Sequence, residues 1–193
     1  RMKSGVIKID GRKVTINNTK DAIDMGMALV PENRKEEGLF LKMTVQDNMN
    51  ILIYKKLKSL LGLIDKRKSQ DKANEYLNKF KIKTPSLLQN IRNLSGGNQQ
   101  KTIIARWLMN NPKILFMDEP TRGIDVGAKN EVYRIIDSLC KQGVSIVLLS
   151  SELPEVLSMC DRIMVMHNGR LKGILMNNEA DQTKIMSYTL QEA

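Results

Sequence analysis

A chain of 193 residues can form one domain, or one domain carrying a subdomain; it is 41% hydrophobic and has no apolar run of membrane-spanning length, which excludes spanning helices from these residues. The net charge of +10 permits a nucleic-acid or anionic-membrane partner, but the basic residues are spread along the chain, densest over 55–83, and aromatics are only 4%. Cys140 and Cys160 make no disulfide framework and read as small buried residues in a reducing cytoplasm.

In chain order, residues 5–9 and 13–16 are β-rich runs around Asp10-Gly11, a hairpin signal. Thr19 is expected to cap a short helix over 20–25 that Gly26 stops. Residues 27–30 read as a buried strand ended by Pro31, and the polar stretch 32–38 as a loop without fixed structure. From 44 to 111 the apolar period turns helical. Thr44 and Asp47 make a capping-box-like start to a helix reaching Ile53. A basic, Leu-rich stretch, 55–68, leads to a second helix carrying Ala73, Leu77 and Phe80. After the break at Thr84-Pro85-Ser86, a third helix starts at Ser95 and ends before Asn111-Pro112. The β/α alternation then resumes, with buried strands at 114–117 and 144–149, a helix over 126–142 and a short one over 152–158. Residues 162–166 and 170–175 pair across His167-Asn168-Gly169, and a helix covers 179–190. This is an α/β fold with an inserted helical subdomain.

Two places carry chemistry. Ser95-Gly96-Gly97 opens a helix with bare amides and a dipole, a site for an anion such as phosphate. Asp118-Glu119 follows a buried apolar strand, at the carboxyl end where ligand crevices form in α/β sheets. Adjacent acids there suit phosphate chemistry with a divalent metal: one holds Mg²⁺ through water, the other orients an attacking water.

These residues resemble the ABC ATPases. Leu94-Ser95-Gly96-Gly97-Asn98-Gln99-Gln100-Lys101 looks like the signature motif, Asp118-Glu119-Pro120-Thr121 like the Walker B segment and Gly123-Ile124-Asp125 like the D-loop. Val30-Pro31-Glu32-Asn33-Arg34-Lys35, the run from Thr121 to Lys129 and Ser150-Ser151-Glu152-Leu153-Pro154-Glu155 are similar to the second cassette of bacterial monosaccharide importers of the ribose, galactose and xylose type. The resemblance implies a P-loop-type core sheet at 1–35 and 112–176, a helical signature subdomain at 36–111 and a C-terminal helix at 177–193. It implies that Ser95, Gly96 and Gly97 contact the γ-phosphate of an ATP held on the opposing cassette, with Gln99 a weaker contact. Asp118 would belong to the Mg²⁺ shell, Glu119 would polarise the water, and Asp125 would bridge the cassettes. Residues 32–53 would face the membrane permease, served indirectly by an extracytoplasmic sugar-binding protein, at the cytoplasmic face of the membrane.

Three departures shape the expectation. No Gly-x-x-x-x-Gly-Lys-Ser/Thr run occurs in these residues. With Arg1 in place of Met, we read an excerpt lacking its upstream Walker A part, inactive in isolation, and expect the missing strand to leave 114–117 with one unpaired apolar side. Glu32 occupies the Q-loop position, and Ser151 the switch-histidine position, so Glu119 is expected to work in a weak site. The alternatives are a soluble ABC ATPase acting on ribosomes or nucleic acid, which lacks its expected basic insertion here, and a truncated non-catalytic interaction module.

Overall fold

The computed structural model describes residues 4–59 and 62–190; Arg1, Leu60, Leu61 and the last three positions of the expected 177–193 segment lie outside the described residues. The first hairpin, β1 (Ile7–Ile9) and β2 (Arg12–Val14), turns on Asp10 at φ 51° and Gly11 at φ 75°, the left-handed pair a tight two-residue hairpin needs. Helix α1 (Thr19–Asp24) is capped by Asn18, whose side chain accepts from the Asp21 amide, one residue before the expected Thr19. Asn is the stronger cap, and Thr19 serves as the first helical residue.

Strands β3 (Met27–Val30), β4 (Ile114–Asp118) and β5 (Ser145–Leu149) form a parallel sheet in the order β3-β4-β5. The expected unpaired side of 114–117 is therefore corrected: β4 is the centre, bonded to β3 along Ile114–Met117 and to β5 along its full length. Sequence fixes a strand's apolar content but not its neighbours. Leu115 and Met117 are fully buried on the face covered by the helices.

Between β3 and β4 the chain makes α2 (Val45–Asn50), α3 (Lys66–Lys79) and α4 (Gly96–Leu108). Helix α2 carries the expected Thr44/Asp47 capping box but stops at Asn50, three residues short, where the Asn50 side chain turns inward and donates to Ser69. The 32–38 stretch is not structureless: 34–38 forms a π-turn started by Asn33, whose side chain accepts from the Glu36 amide. Helix α4 is the centre of the molecule, touching α2, α3, α5, β3 and the π-turn. A helix buried on nearly every side must satisfy its polar residues inside. Arg106 does so by donating to the carbonyls of Asn48 and Gly38 and to the Asn48 side chain, and Lys101 by donating to Glu131 at 2.7 Å and to the Lys81 carbonyl.

Helix α5 (Val126–Lys141) starts at Asp125, ends before Gly143 at φ 86°, and buries Val132, Ile135, Ile136 and Leu139. One continuous core runs from Ala28 to Leu139 and joins the sheet to the helical block. A smaller core of Ile163, Val165, Leu175 and Ile185 lies under the hairpin β6 (Arg162–His167) and β7 (Arg170–Met176), with α6 (Leu153–Met159) and α7 (Gln182–Leu190) beside it. Glu179 falls in a short 3₁₀ turn ahead of α7. No helix among the described residues is long and apolar enough to cross a membrane.

Candidate functional site

Ser95 ends an extended segment with φ −60°, ψ 156° and caps α4, its hydroxyl accepting from the Asn98 side-chain amide at 3.0 Å and, more weakly, from the Asn98 backbone at 3.5 Å. Asn98 is held in turn by the Lys83 amide, which donates to its Oδ1. The Gln99 amide closes on the Ser95 carbonyl. That leaves the amides of Gly96 and Gly97 at the open end of a thirteen-residue helix, the geometry that attracts an anion.

Both glycines answer to close neighbours. A Cβ on Gly97 would sit 2.5 Å from the Ala128 Cβ in the first turn of α5, and one on Gly96 would sit 2.7 Å from Arg34 Nη2. The bare helix start thus also permits the packing of α4 against α5. Asp125 caps α5 by accepting from the Ala128 amide at 2.9 Å, so the D-loop-like aspartate stands beside the Gly97 contact.

A second cluster gathers at the carboxyl ends of β4 and β5. Asp118 is the last residue of β4 and half-buried. Glu119 follows at φ 44°, a left-handed conformation uncommon for a non-glycine residue. Its amide donates to the Leu149 carbonyl at 2.9 Å, and its Oε1 accepts from the Ser151 amide at 2.7 Å. The structure therefore brings Glu119 and Ser151 into direct contact through the Ser151 backbone rather than its hydroxyl. The segment carrying Ser151 is tied to α5 by Lys129, which donates to both Glu152 carboxylate oxygens; this bond raises the Lys129 ammonium above its usual range. Behind it, Thr121 donates to the buried Glu155 at 3.0 Å, fastening the turn after β4 to α6.

The residue pair suits a magnesium ion of the phosphate-bound kind. Mg²⁺ keeps most of its waters and takes one or two carboxylates plus phosphate oxygens. No group of three metal-binding side chains occurs among the described residues, and a single half-buried carboxylate at a strand end is what that mode requires.

Two expected contacts differ in placement. Gln99, expected near a nucleotide, faces inward: it is 3% exposed and its Nε2 donates to the Ile91 carbonyl at 3.2 Å. It braces the segment leading into Ser95, while its Oε1 is buried without a partner among the described residues. Exposed Glu32 is ion-paired with Arg122 in the turn after β4. Arg34, two residues on, donates to the carbonyls of Arg122 and Gly123 at 2.8 and 2.9 Å. Arg34 and Asn98 were not among the expected site residues. Both lie inside the quoted motifs, but only their tertiary partners reveal their work.

With this geometry in hand, the family model for ABC transporters matches residues 1–122. The ribose import ATP-binding protein RbsA of Clostridium tetani is 47% identical over 190 residues, covering 98% of this chain and 38% of that protein. A putative ribose/galactose/methyl galactoside import ATP-binding protein of Geobacillus kaustophilus is 51% identical, covering 95% of this chain and 36% of that protein. The xylose import ATP-binding protein XylG of Thermoanaerobacter pseudethanolicus is 48% identical, with the same two shares. The chain thus spans little more than a third of the length of these curated relatives. A nucleotide-free ATP-binding cassette superposes with a TM-score of 0.79 at 21% identity, covering 98% of this chain and 78% of that one. A dimeric cassette bound to ADP and phosphate reaches 0.74 at 21%, covering 91% and 74%. At that identity the likeness concerns the fold.

Proposed function

This chain belongs to the ABC transporter family, and from that premise we propose that it works in the ATP-binding component of a simple-sugar importer. The observation that carries the reading is the N-terminus of α4: a Ser-capped helix opened by two glycines, standing beside the aspartate that caps α5. Nearly full-length coverage of this chain by ribose, galactose and xylose import proteins supports the sugar-import assignment over ribosome or nucleic-acid work.

In this reading Ser95 Oγ and the Gly96 and Gly97 amides bind the γ-phosphate of an ATP whose other phosphates are held by a partner cassette. Fixed donors aimed at developing charge stabilise phosphoryl transfer without reorganising. Mg²⁺, when bound, would neutralise phosphate charge, with Asp118 contributing to its shell. Glu119 orients and deprotonates the attacking water through the carboxylate oxygen not engaged by the Ser151 amide. A serine supplies no imidazole at the switch position. Glu119 therefore serves the weaker of two unequal sites. Asp125 bridges the cassettes, and the segment from Glu32 to Ile53 meets the permease at the cytoplasmic face of the membrane.

The test is ATPase and sugar uptake in the assembled transporter. Ser95→Arg should reduce both by about a hundredfold, the scale expected when a transition-state donor is lost. Glu119→Gln should reduce them several-fold less. A Glu119→Gln loss as complete as that from Ser95→Arg rules out unequal sites.

A further inference from the structure

The loop after β3 and the turn after β4 hold each other by reciprocal bonds. Arg122 reaches back to Glu32 as an ion pair. Arg34 reaches forward with Nη1 on the Arg122 carbonyl and Nη2 on the Gly123 carbonyl, across 88 and 89 residues of sequence. Gly123, at φ 67°, takes the left-handed bend that presents two successive carbonyls to one guanidinium. The same Nη2 lies 2.7 Å from where a Cβ on Gly96 would stand, so the guanidinium is wedged between this turn and the first residue of α4. Its Nε is buried without a partner among the described residues. A buried orphan donor is destabilising, so the arrangement is maintained at a cost to the fold.

We infer that Arg34 is a positioning residue: a planar clamp that locks the Arg122–Gly123 turn, and through it Asp125, to the N-terminus of α4, so that the D-loop and the signature motif move as one body with the loop after β3. Its acceptors are carbonyls rather than a carboxylate, so its positive charge also stays beside Gly96. Only an arginine fits, because bridging two carbonyls while packing flat against a glycine takes a rigid two-pronged donor.

The kinetic arm of the test rests on the ATPase reading above; the exchange arm does not. In the purified protein, Arg34→Ala should speed hydrogen exchange at the Arg122 and Ala128 amides and at the Gln99 amide together, by about tenfold or more, while the β4 amides keep their protection. Arg34→Lys, the milder variant, should speed the same three amides to a lesser degree. In the assembled transporter, Arg34→Ala should lower kcat for MgATP by about tenfold with KM changed less than about threefold, because the nucleotide's main holding groups lie on the opposing cassette. Arg34→Lys should recover only part of that loss. Faster exchange at Arg122 with Gln99 unchanged overturns the clamp, and so does full recovery of kcat by lysine. If the wild-type transporter hydrolyses no ATP, the functional reading fails, and the exchange pattern still decides the clamp.

Discussion

At the scale of single residues, the polar groups inside α4 bind it to segments distant in sequence. Arg106 is 6% exposed and has no carboxylate among its hydrogen-bond partners: it donates to the carbonyls of Gly38 and Asn48 and to the Asn48 side chain, with Phe40 stacked at 5.5 Å. Burial lowers its pKa to about 10, so it remains charged at neutral pH. It ties the helix that begins at Ser95 to the segment that follows the π-turn. Arg106→Met should leave those carbonyls unsatisfied and destabilise the fold by about 2–4 kcal/mol, read as a lower urea midpoint at unchanged slope. Arg106→Lys should not restore it, since one ammonium cannot span three acceptors held in a plane.

Individual elements show what the sequence could and could not display. The capping box of α2 is local, and it was legible. Thr44 Oγ1 accepts from the Asp47 amide at 3.0 Å, and Asp47 accepts from the Thr44 hydroxyl and from Tyr54 OH, both at 2.6 Å. Burial opposes ionisation of Asp47, yet the Thr44 and Tyr54 hydroxyls and the Thr44 amide together hold its carboxyl below the usual value. Because the folded pKa is depressed, the contribution is full above the unfolded carboxylate value of about 3.9 and is lost as pH falls through the folded one. Thr44→Ala should therefore cost about 1 kcal/mol near neutral pH and progressively less in acid, measured by denaturant unfolding at both. The strands at 27–30 and 114–117 were equally legible, since an unbroken apolar run in an α/β chain has few other uses. The strand order, the π-turn at 34–38 and the inward side of Gln99 were not. The first two involve partners dozens of residues away, β5 beside β4 and Arg122 and Gly123 facing Arg34, and the third turns on the Ile91 carbonyl eight residues before Gln99, across the break between two helical segments. The signature-like run announced an anion site, but it gave no sign that its second glycine is also required by Ala128.

Over the whole molecule, apolar exposure occurs at the parallel sheet, where Leu29 and Leu149 on the strands beside β4 are exposed, and also away from it. The edges of β4 are paired, while the outer face of the β6–β7 hairpin shows Met164, Met166, Leu171, Ile174 and Met176, each a little over half exposed. Contiguous patches of that kind are where solubility is lost. Replacing Met166 and Ile174 together by lysine should raise the concentration at which light scattering detects self-association, with little change in the thermal midpoint. The charge layout carries a last consequence. Helices α4 and α5 bring their N-termini together at Gly97 and Ala128. The first turn of α5 has Asp125 at its cap, whereas the first turn of α4 has no acidic residue and has the Arg34 guanidinium beside it. Two like poles and a cation lie close together here, and the Asp125 carboxylate is a counter-charge at the α5 cap alone. An anion resting on Gly96 and Gly97 would supply a counter-charge at the α4 cap as well, so a filled site leaves the two helices less opposed than an empty one.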